Sequence, residues 1–301
     1  MSRIAPHSID KPKDKPKAHE PDEKSDRKKR HGRPATLAPF RPQRHMTHRT
    51  SLTSVIHQLR HRQVHTSTGP VIVFENGLAA DMQHAWTGVL HELGPEHTTL
   101  TYNRPGIGGS PSATTPSDGL TIVAGLRDLL QARVLPPPYL LVGHSLGGLY
   151  LQLYARQYPE EVAGLLLIDP THPCQFEGPG AWRQRPWWFR LAFWLFLRYH
   201  GGSQEFAAAA QTGQQVLAAP AWHNPPTLIL LSGPAHAPPF QSALLRHDRQ
   251  LKESYAALYP GSELRWLDCG HDIPRERPQA VATALRELVT RCTPPATTAA
   301  D

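Results

Sequence analysis

Residues 139–150 of this 301-residue chain read YLLVGHSLGGLY, and the predicted fold depends on this stretch. Its first four residues form a short apolar run, which is typical of a strand buried in a parallel sheet. Glycines at 143 and 147 then flank Ser145, and a helix-like segment continues as far as Pro159. Gly-x-Ser-x-Gly between a strand and a helix predicts a sharp turn that projects the serine hydroxyl above the sheet. Side chains at the two glycine positions would collide with neighbouring backbone in such a turn.

Strand-like and helix-like segments alternate along the rest of the chain. Apolar strand runs occupy 70–75, 98–102, 139–143, 164–168, 227–231 and 263–267, with weaker strand signals at 52–57 and 60–66. Helix-like stretches occupy 82–92, 119–133, 146–158, 240–258 and 275–291. This alternation predicts an α/β fold with a mostly parallel central sheet and helices on both faces.

The positive charge of the chain is concentrated at one end. The formal net charge is +7, but residues 1–50 alone hold 14 basic and 6 acidic residues. The remainder is close to neutral, which argues against a folded body that binds nucleic acid. Proline and lysine alternate near the N-terminus without apolar periodicity. We therefore expect residues 1–45 to be a disordered basic tail and residues 46–301 to form the folded domain.

Cysteine usage and hydropathy narrow the class of protein further. The chain has only three cysteines, whose spacing fits neither a disulfide framework nor a zinc site. We therefore expect a reduced, cytoplasmic location and no bound metal. No apolar run approaches the roughly 18 residues that indicate a membrane span. The hydrophilic N-terminus also predicts that there is no secretory signal peptide.

Three motifs together resemble the α/β-hydrolase family over about residues 65–291. The first is the turn around Ser145, and the second is Asn76-Gly77-Leu78, where family members usually carry His-Gly. The third, NRPGIGGS at 103–110, is similar to the family's Asp-x-Pro-Gly-x-Gly-x-Ser loop with Asn in place of the opening Asp. Arg104 in this loop is either a binding residue or a structural one, and we favour an ion pair or a solvated side chain.

The resemblance implies a nucleophilic role for Ser145. The backbone N–H of Leu146, at the start of the helix, is expected to point at the developing oxyanion. The resemblance implies that the backbone N–H of Leu78 is the second donor of this oxyanion hole. His271 lies in a Gly-His loop after the last strand, where the family carries its catalytic histidine, so we expect it to be the general base.

The acid that orients His271 is harder to assign. Many relatives carry it after the strand at 227–231, but the next residues here contain no carboxylate until Asp248, inside a predicted helix. Some relatives carry it one strand earlier, where this chain has Asp169. We therefore predict Asp169 as the third triad member, the alternative being a turn-forming aspartate before proline. Asp272 is a poor candidate because the side chains of adjacent residues diverge.

Residues 172–222 interrupt the alternation of strands and helices and resemble the family's cap insertion. Between 187 and 197 only Arg190 is not apolar, and four of the chain's seven tryptophans lie between residues 182 and 194. We interpret the segment, including Trp187 and Trp188, as a pocket wall or cap core. The alternatives are a helix that contacts a membrane surface and an interface with a partner.

These features imply a serine hydrolase that cleaves a carboxylic ester with an apolar moiety through an acyl-enzyme. No metal or organic cofactor is expected. Hydrolysis of amides, thioesters, lactones or carbon–carbon bonds and cofactor-free haloperoxidase chemistry use the same triad, so these activities stay open. A non-enzymatic ligand-binding protein on the same fold is a further alternative. The sequence does not indicate an oligomeric state.

Overall fold

The computed structural model describes residues 61–64, 69–112, 116–234 and 243–293. The tail predicted at 1–45 and the strand predicted at 52–57 lie outside these residues. The weaker signal at 60–66 corresponds to a strand, His61–Val64.

Seven strands form one sheet in the described part of the chain. They are β1 (His61–Val64), β2 (Val71–Glu75), β3 (Thr99–Tyr102), β4 (Tyr139–His144), β5 (Val162–Ile168), β6 (Thr227–Ser232) and β7 (Glu263–Leu267). Their order in the sheet is β1-β3-β2-β4-β5-β6-β7. β1 runs antiparallel to β3, and every other pairing is parallel. The prediction of a mostly parallel sheet is confirmed.

Eight α-helices accompany this sheet in the described part of the chain. They are α1 (Met82–Leu93), α2 (Gly119–Ala132), α3 (Leu146–Gln157), α4 (Trp187–His200), α5 (Ser203–Ala218), α6 (Ala243–Leu258), α7 (Ile273–Glu276) and α8 (Pro278–Cys292). Buried residues of α2, α3, α5 and α6 share one core with the sheet, and those of α1, α7 and α8 share the other.

Alternation along the strands explains the two cores. Val71 and Val73 of β2 point into the α2–α3 core, whereas Ile72 and Phe74 point into the α1–α8 core. Successive side chains of a strand face opposite sides of the sheet, so a strand covered on both faces is apolar throughout. The continuous apolar runs in the sequence have this cause.

The register of the parallel strands brings distant parts of the chain to one edge of the sheet. His144 of β4 pairs with Ile168 of β5, so Ser145 and Asp169 follow at neighbouring strand ends. Ser232 ends β6 beside Leu267 of β7. The carboxyl ends of these strands therefore meet at one edge, where open α/β sheets bind their ligands.

The insertion between β5 and β6 contains α4 and α5. Helix α5 packs against α2 and α3, and its Ala209 and Val216 are part of the core. Helix α4 projects from this support and buries only Leu197. Among the described residues, no helix combines the length and the apolar character needed to cross a bilayer.

Candidate active site

Ser145 occupies a strained turn between β4 and α3. Its backbone angles are φ +51° and ψ −122°, a conformation that is costly for a residue with a side chain. A Cβ on Gly147 would lie 2.4 Å from the carbonyl oxygens of Glu75 and Asn76. A Cβ on Gly143 would lie 2.8 Å from the backbone of Gly148. Both glycines are therefore required by the closeness of the neighbouring backbone.

Three predicted site residues lie within hydrogen-bond distance of one another. The Nε2 atom of His271 lies 2.9 Å from the Oγ of Ser145. The Nδ1 atom of the same ring lies 2.5 Å from the Oδ2 of Asp169. With Nδ1 protonated toward the carboxylate, Nε2 is left as the acceptor for the serine hydroxyl. This arrangement allows His271 to remove a proton from Ser145.

Asp169 is held by donors on both of its carboxylate oxygens. Its side chain is 3% exposed, and its Oδ1 lies 2.9 Å from the backbone N of Ser232 and 2.9 Å from the Nζ of Lys252. Its Oδ2 accepts the hydroxyl of Ser232 at 2.7 Å in addition to His271. Burial alone would raise the pKa of Asp169, but the bond to His271 and the charge of Lys252 outweigh it. The pKa of Asp169 is therefore below its usual range, and the group stays ionised at neutral pH.

The two other carboxylates considered from the sequence lie apart from His271's ring. Asp248 is in α6, and its Oδ2 is 3.5 Å from Lys252. The Oδ2 of Asp272 lies 3.2 Å from Arg275, on the surface. Sequence reasoning missed Ser232 and Lys252, which support Asp169 from β6 and α6. Ser232 ends β6, directly before the loop in which many relatives carry their acid, and this position was the signal in the sequence.

His144, the residue before Ser145, is a second histidine at the site that sequence reasoning left unassigned. Its Nε2 lies 2.9 Å from the backbone oxygen of His271. Burial is the main reason that the pKa of His144 falls to about 4, with a smaller contribution from the nearby His271. His144 is therefore neutral at pH 7, and a neutral ring that contacts a carbonyl at Nε2 must donate from Nε2. It connects the serine turn to the histidine loop.

The loop after β2 passes directly beside Ser145. A Cβ on Gly77 would lie 3.3 Å from the Cβ of Ser145. The side chain of Asn76 accepts from Trp86 at 2.5 Å and donates to the backbone oxygen of Tyr102 at 2.8 Å. This close approach brings Leu78 to the cavity that also contains Ser145. Leu146 begins α3, so its N–H lies at a helix N-terminus next to Ser145.

Arg104 is buried beneath this loop and does not line the cavity. It makes a bidentate pair with Glu205 of α5 at 2.6 and 2.8 Å, and it pairs with Glu75 at 2.6 Å. It also donates to the backbone oxygens of Asn76 at 2.6 Å and Gly77 at 2.8 Å. Burial would lower the pKa of Arg104, but the two carboxylates raise it well above its usual value. The structure thus assigns Arg104 to a structural ion pair.

Two cavities meet at Ser145 and His271. The larger has a volume of about 590 Å³ and is lined by Leu78, Ser145, His271, Phe193, Phe196 and His200. The smaller, of about 400 Å³, is lined by polar groups that include Thr171, Gln175 and Lys252. The aromatic wall predicted for the cap is thus provided by Phe193 and Phe196. Trp187 and Trp188 are 75% and 59% exposed and lie outside this wall, so their assignment to it was wrong.

The family model of the alpha/beta hydrolase family matches residues 72–284, which is most of the chain. The chain belongs to the alpha/beta hydrolase family. Strands β3 to β7, the turn at Ser145 and the loop after β7 all fall inside the matched segment. Among the described residues, no three His, Cys, Asp or Glu side chains cluster in a way that would hold a metal ion.

Similar proteins include hydrolases of several kinds. The chain is 34% identical over 105 residues to the uncharacterized protein YqjL of Bacillus subtilis, covering 35% of this chain and 41% of that protein. It is 31% identical over 108 residues to the mouse (lyso)-N-acylphosphatidylethanolamine lipase, covering 32% and 31%. The matched part of this chain thus spans less than half the length of these two relatives. A thermophilic esterase from Thermogutta terrifontis has a similar fold, with a TM-score of 0.52, 22% identity and coverage of 78% and 93%.

Proposed function

We propose that this alpha/beta hydrolase cleaves a carboxylic ester with an apolar moiety, using Ser145, His271 and Asp169 as a catalytic triad. The observation that carries the proposal is the continuous set of hydrogen bonds from Asp169 through His271 to Ser145. The strained turn that presents Ser145 supports the same role, because strain of this kind accumulates at functional sites.

The proposed reaction proceeds in two halves. His271 takes the Ser145 proton at Nε2 while the serine oxygen attacks the ester carbonyl, and Asp169 stabilises the imidazolium that forms. The imidazolium then protonates the leaving alkoxide, which departs as the alcohol and leaves Ser145 acylated. A water activated by His271 hydrolyses the acyl-enzyme and returns the serine hydroxyl. No step requires a metal or an organic cofactor.

The N–H groups of Leu78 and Leu146 are the proposed oxyanion hole. The first belongs to the loop that passes beside Ser145, and the second lies at the N-terminus of α3. Donors that are fixed before the reaction stabilise the negative charge that develops on the carbonyl oxygen. The buried Arg104 supports this role, because it holds the backbone oxygens of Asn76 and Gly77 just before Leu78.

The composition of the larger cavity supports an apolar substrate moiety. Phe193 and Phe196 of α4 line it together with Leu78 and alanines of the loop after β2. The name of the mouse relative, a lipase, supports an acyl ester among the substrates that the triad allows. The smaller, polar cavity on the other side of Ser145 offers space for a more hydrophilic leaving group. A cytoplasmic location stays a prediction from cysteine usage.

Labelling with a fluorophosphonate probe and turnover of p-nitrophenyl esters of increasing chain length test this function. We expect the wild-type chain to be labelled and to prefer medium or long acyl chains over acetate. Ser145→Ala should abolish both signals, because losing a triad member removes on the order of 10⁴–10⁶ in kcat. Ser203→Ala, which removes an exposed hydroxyl at the start of α5, should change neither.

The outcome also separates the alternatives. An unlabelled wild-type chain that binds an apolar ester without turnover would indicate a non-enzymatic binder on the same fold. A labelled chain that ignores all esters but cleaves a thioester, lactone or amide would keep the triad and replace the substrate class. Undiminished labelling and turnover of Ser145→Ala would refute the assignment of the nucleophile.

A further inference from the structure

Helix α4 leaves an apolar surface exposed at the edge of the active site. Its sequence, WWFRLAFWLFLRYH, is apolar or aromatic except for two arginines and a histidine. Leu197 is its only buried residue, while Trp187 is 75% exposed, Trp188 59% and Tyr199 86%. A helix on the surface of a globular protein normally turns a polar face toward solvent. The apolar composition of α4 therefore indicates that part of its exposed surface contacts something other than water.

The two sides of α4 have different environments. On its inner side, Leu197 is buried. The ring centroid of Phe193 lies 5.2 Å from that of Trp182 and 4.9 Å from that of Phe206. The opposite side carries an outward stripe with helical spacing, formed by Trp188, Leu191, Leu195 and Tyr199. All four are more than a third exposed.

The exposed apolar area is large for a monomer. Eight large side chains of α4 are exposed, and taking about 200 Å² for each complete side chain leaves on the order of 1,000 Å² uncovered. The largest patch on a typical soluble monomer is roughly 300–600 Å² and often has a function. An exposed apolar area of this size indicates a surface that contacts a partner or a membrane.

The charges around α4 indicate the chemistry of that occupant. Arg183, Arg185, Arg190 and Arg198 lie in or beside the helix, and no acidic residue occurs between Glu177 and Glu205. None of the four arginines forms an ion pair with another residue in the described ranges. In a twofold dimer through α4, the arginines of both copies would be brought into one interface, and the segment offers no carboxylate to compensate them. An anionic lipid surface would instead attract this segment, whose positive charge no nearby carboxylate compensates.

We propose that α4 docks on the surface of an anionic lipid bilayer, with the outward stripe inserted at headgroup depth and the helix parallel to the surface. Tryptophan, tyrosine and arginine are the residues that occupy this region of a membrane. Phe193, Phe196 and His200 of the same helix line the cavity that contains Ser145. Docking would therefore bring that cavity to the lipid surface, although binding itself does not depend on the proposed hydrolysis.

Vesicle binding of the full chain tests the proposal. The probe is a set of phosphatidylcholine vesicles with and without phosphatidylglycerol, some carrying brominated acyl chains that quench nearby tryptophans. We expect quenching of the wild-type tryptophans on anionic vesicles, and weaker binding to purely zwitterionic ones. Leu191→Glu/Leu195→Glu, which keeps every tryptophan, should lower vesicle affinity at least about tenfold, because it adds two repelled charges within the inserted stripe.

Leu120→Glu/Val134→Glu is the matched control. Leu120 lies in the first turn of α2 and is 47% exposed, and Val134 lies two residues after the end of α2 and is 85% exposed. The pair adds the same charge outside α4. We expect its vesicle affinity to stay within about twofold of wild type, apart from the small uniform effect of net charge. The basic N-terminal segment is present in all variants, so its own attraction to anionic lipid is the same in each.

Three results would overturn the proposal. One is the absence of quenching of the wild-type chain, a measurement that needs no variant. Another is an equal loss of affinity in the two double variants. The third is a wild-type dimer in sedimentation that Leu191→Glu/Leu195→Glu separates, which would make a second copy the occupant. Ser145→Ala should bind vesicles like wild type, so failure of the proposed hydrolysis and failure of docking are distinguishable.

Discussion

Replacing Asp169 with asparagine tests the proposed triad at its most specific contact. The four partners of this carboxylate are His271, the backbone N–H of Ser232, the hydroxyl of Ser232 and Lys252. An asparagine fills the same space but offers one oxygen and one NH₂ group. Whichever way the new amide is oriented, its NH₂ group must therefore face groups that themselves donate hydrogen bonds. The consequence depends on which side the oxygen takes.

The surroundings determine that choice. The Oδ1 side meets a backbone N–H, which cannot reverse its role, and the ammonium of Lys252, which has no acceptor. The amide oxygen of the Asp169→Asn variant is therefore expected on this side, with its NH₂ directed toward His271. The ring can accept that contact only by giving up the proton on Nδ1. Nε2 then carries the proton and cannot accept one from Ser145.

The expected loss in kcat is on the order of 10²–10⁴-fold, which corresponds to about 3–5 kcal/mol of transition-state stabilisation. The loss combines the wrong tautomer with the absence of a charge to stabilise the imidazolium. The free energy of unfolding should fall by only about 1–2 kcal/mol. Lys252 still has Asp248 within 3.5 Å as a second partner, so its charge stays compensated.

The assay is steady-state turnover of the preferred p-nitrophenyl ester, together with thermal unfolding and the imidazole ¹⁵N shifts of His271. Asp248→Asn and Asp272→Asn are the matched controls, and each should keep kcat within a few fold. The reasoning is refuted if Asp169→Asn keeps more than about a tenth of wild-type kcat. It is also refuted if Asp248→Asn is the crippling change, which would move the acid beyond β6.

The remaining predictions concern Gly147, the buried ion pair of Arg104 with Glu205, and stability at acid pH. Gly147→Ala should prevent folding or activity, because its Cβ would lie 2.4 Å from two carbonyl oxygens, whereas Gly125→Ala in α2, with nothing within 4 Å, should raise Tm slightly. Glu205→Gln should lower the free energy of unfolding by about 3–5 kcal/mol in urea, since it leaves the buried Arg104 undercompensated; an unchanged midpoint would contradict this. His144 has a pKa of about 4 in the fold against about 6.5 when unfolded, so only the unfolded chain takes up its proton between these values. Stability should therefore decline from pH 6.5 toward 4, by at most about 3 kcal/mol from this group, and His144→Gln should flatten that decline in melts across the range.

Local sequence patterns were sufficient for most of the fold. A strand that is buried on both faces must be apolar at every position, and this requirement made β4 and β5 visible without any knowledge of their neighbours. The glycines around Ser145 were equally informative, because the backbone of Glu75 and Asn76 leaves no space for a side chain at 147. Both requirements leave a pattern within a few consecutive residues, even where the backbone that imposes them belongs to a distant segment.

Contacts between distant segments were not visible in the same way. Arg104 and Glu205 are 101 positions apart, and nothing in either local pattern indicates that they pair. Ser232 and Lys252 reach Asp169 from two later elements, so the acid had to be chosen from the likeness to other hydrolases. The cap was misread for a different reason. A helix that is apolar on all sides does not reveal from its sequence which side is covered, and Trp187 and Trp188 face outward.

The division of the cap into two helices has a consequence for the site. Helix α5 is fixed in the core and supplies Glu205, so one of the two carboxylates that compensate Arg104 comes from the cap. Arg104 in turn holds the loop that carries Leu78 through two backbone oxygens. The position of α5 and the geometry of the proposed oxyanion hole are therefore linked through one cation. Helix α4 has no such link and contributes only Phe193, Phe196 and His200 to the cavity. Substitutions on the outer side of α4 should thus affect the proposed docking on lipid without displacing Ser145, His271 or Asp169.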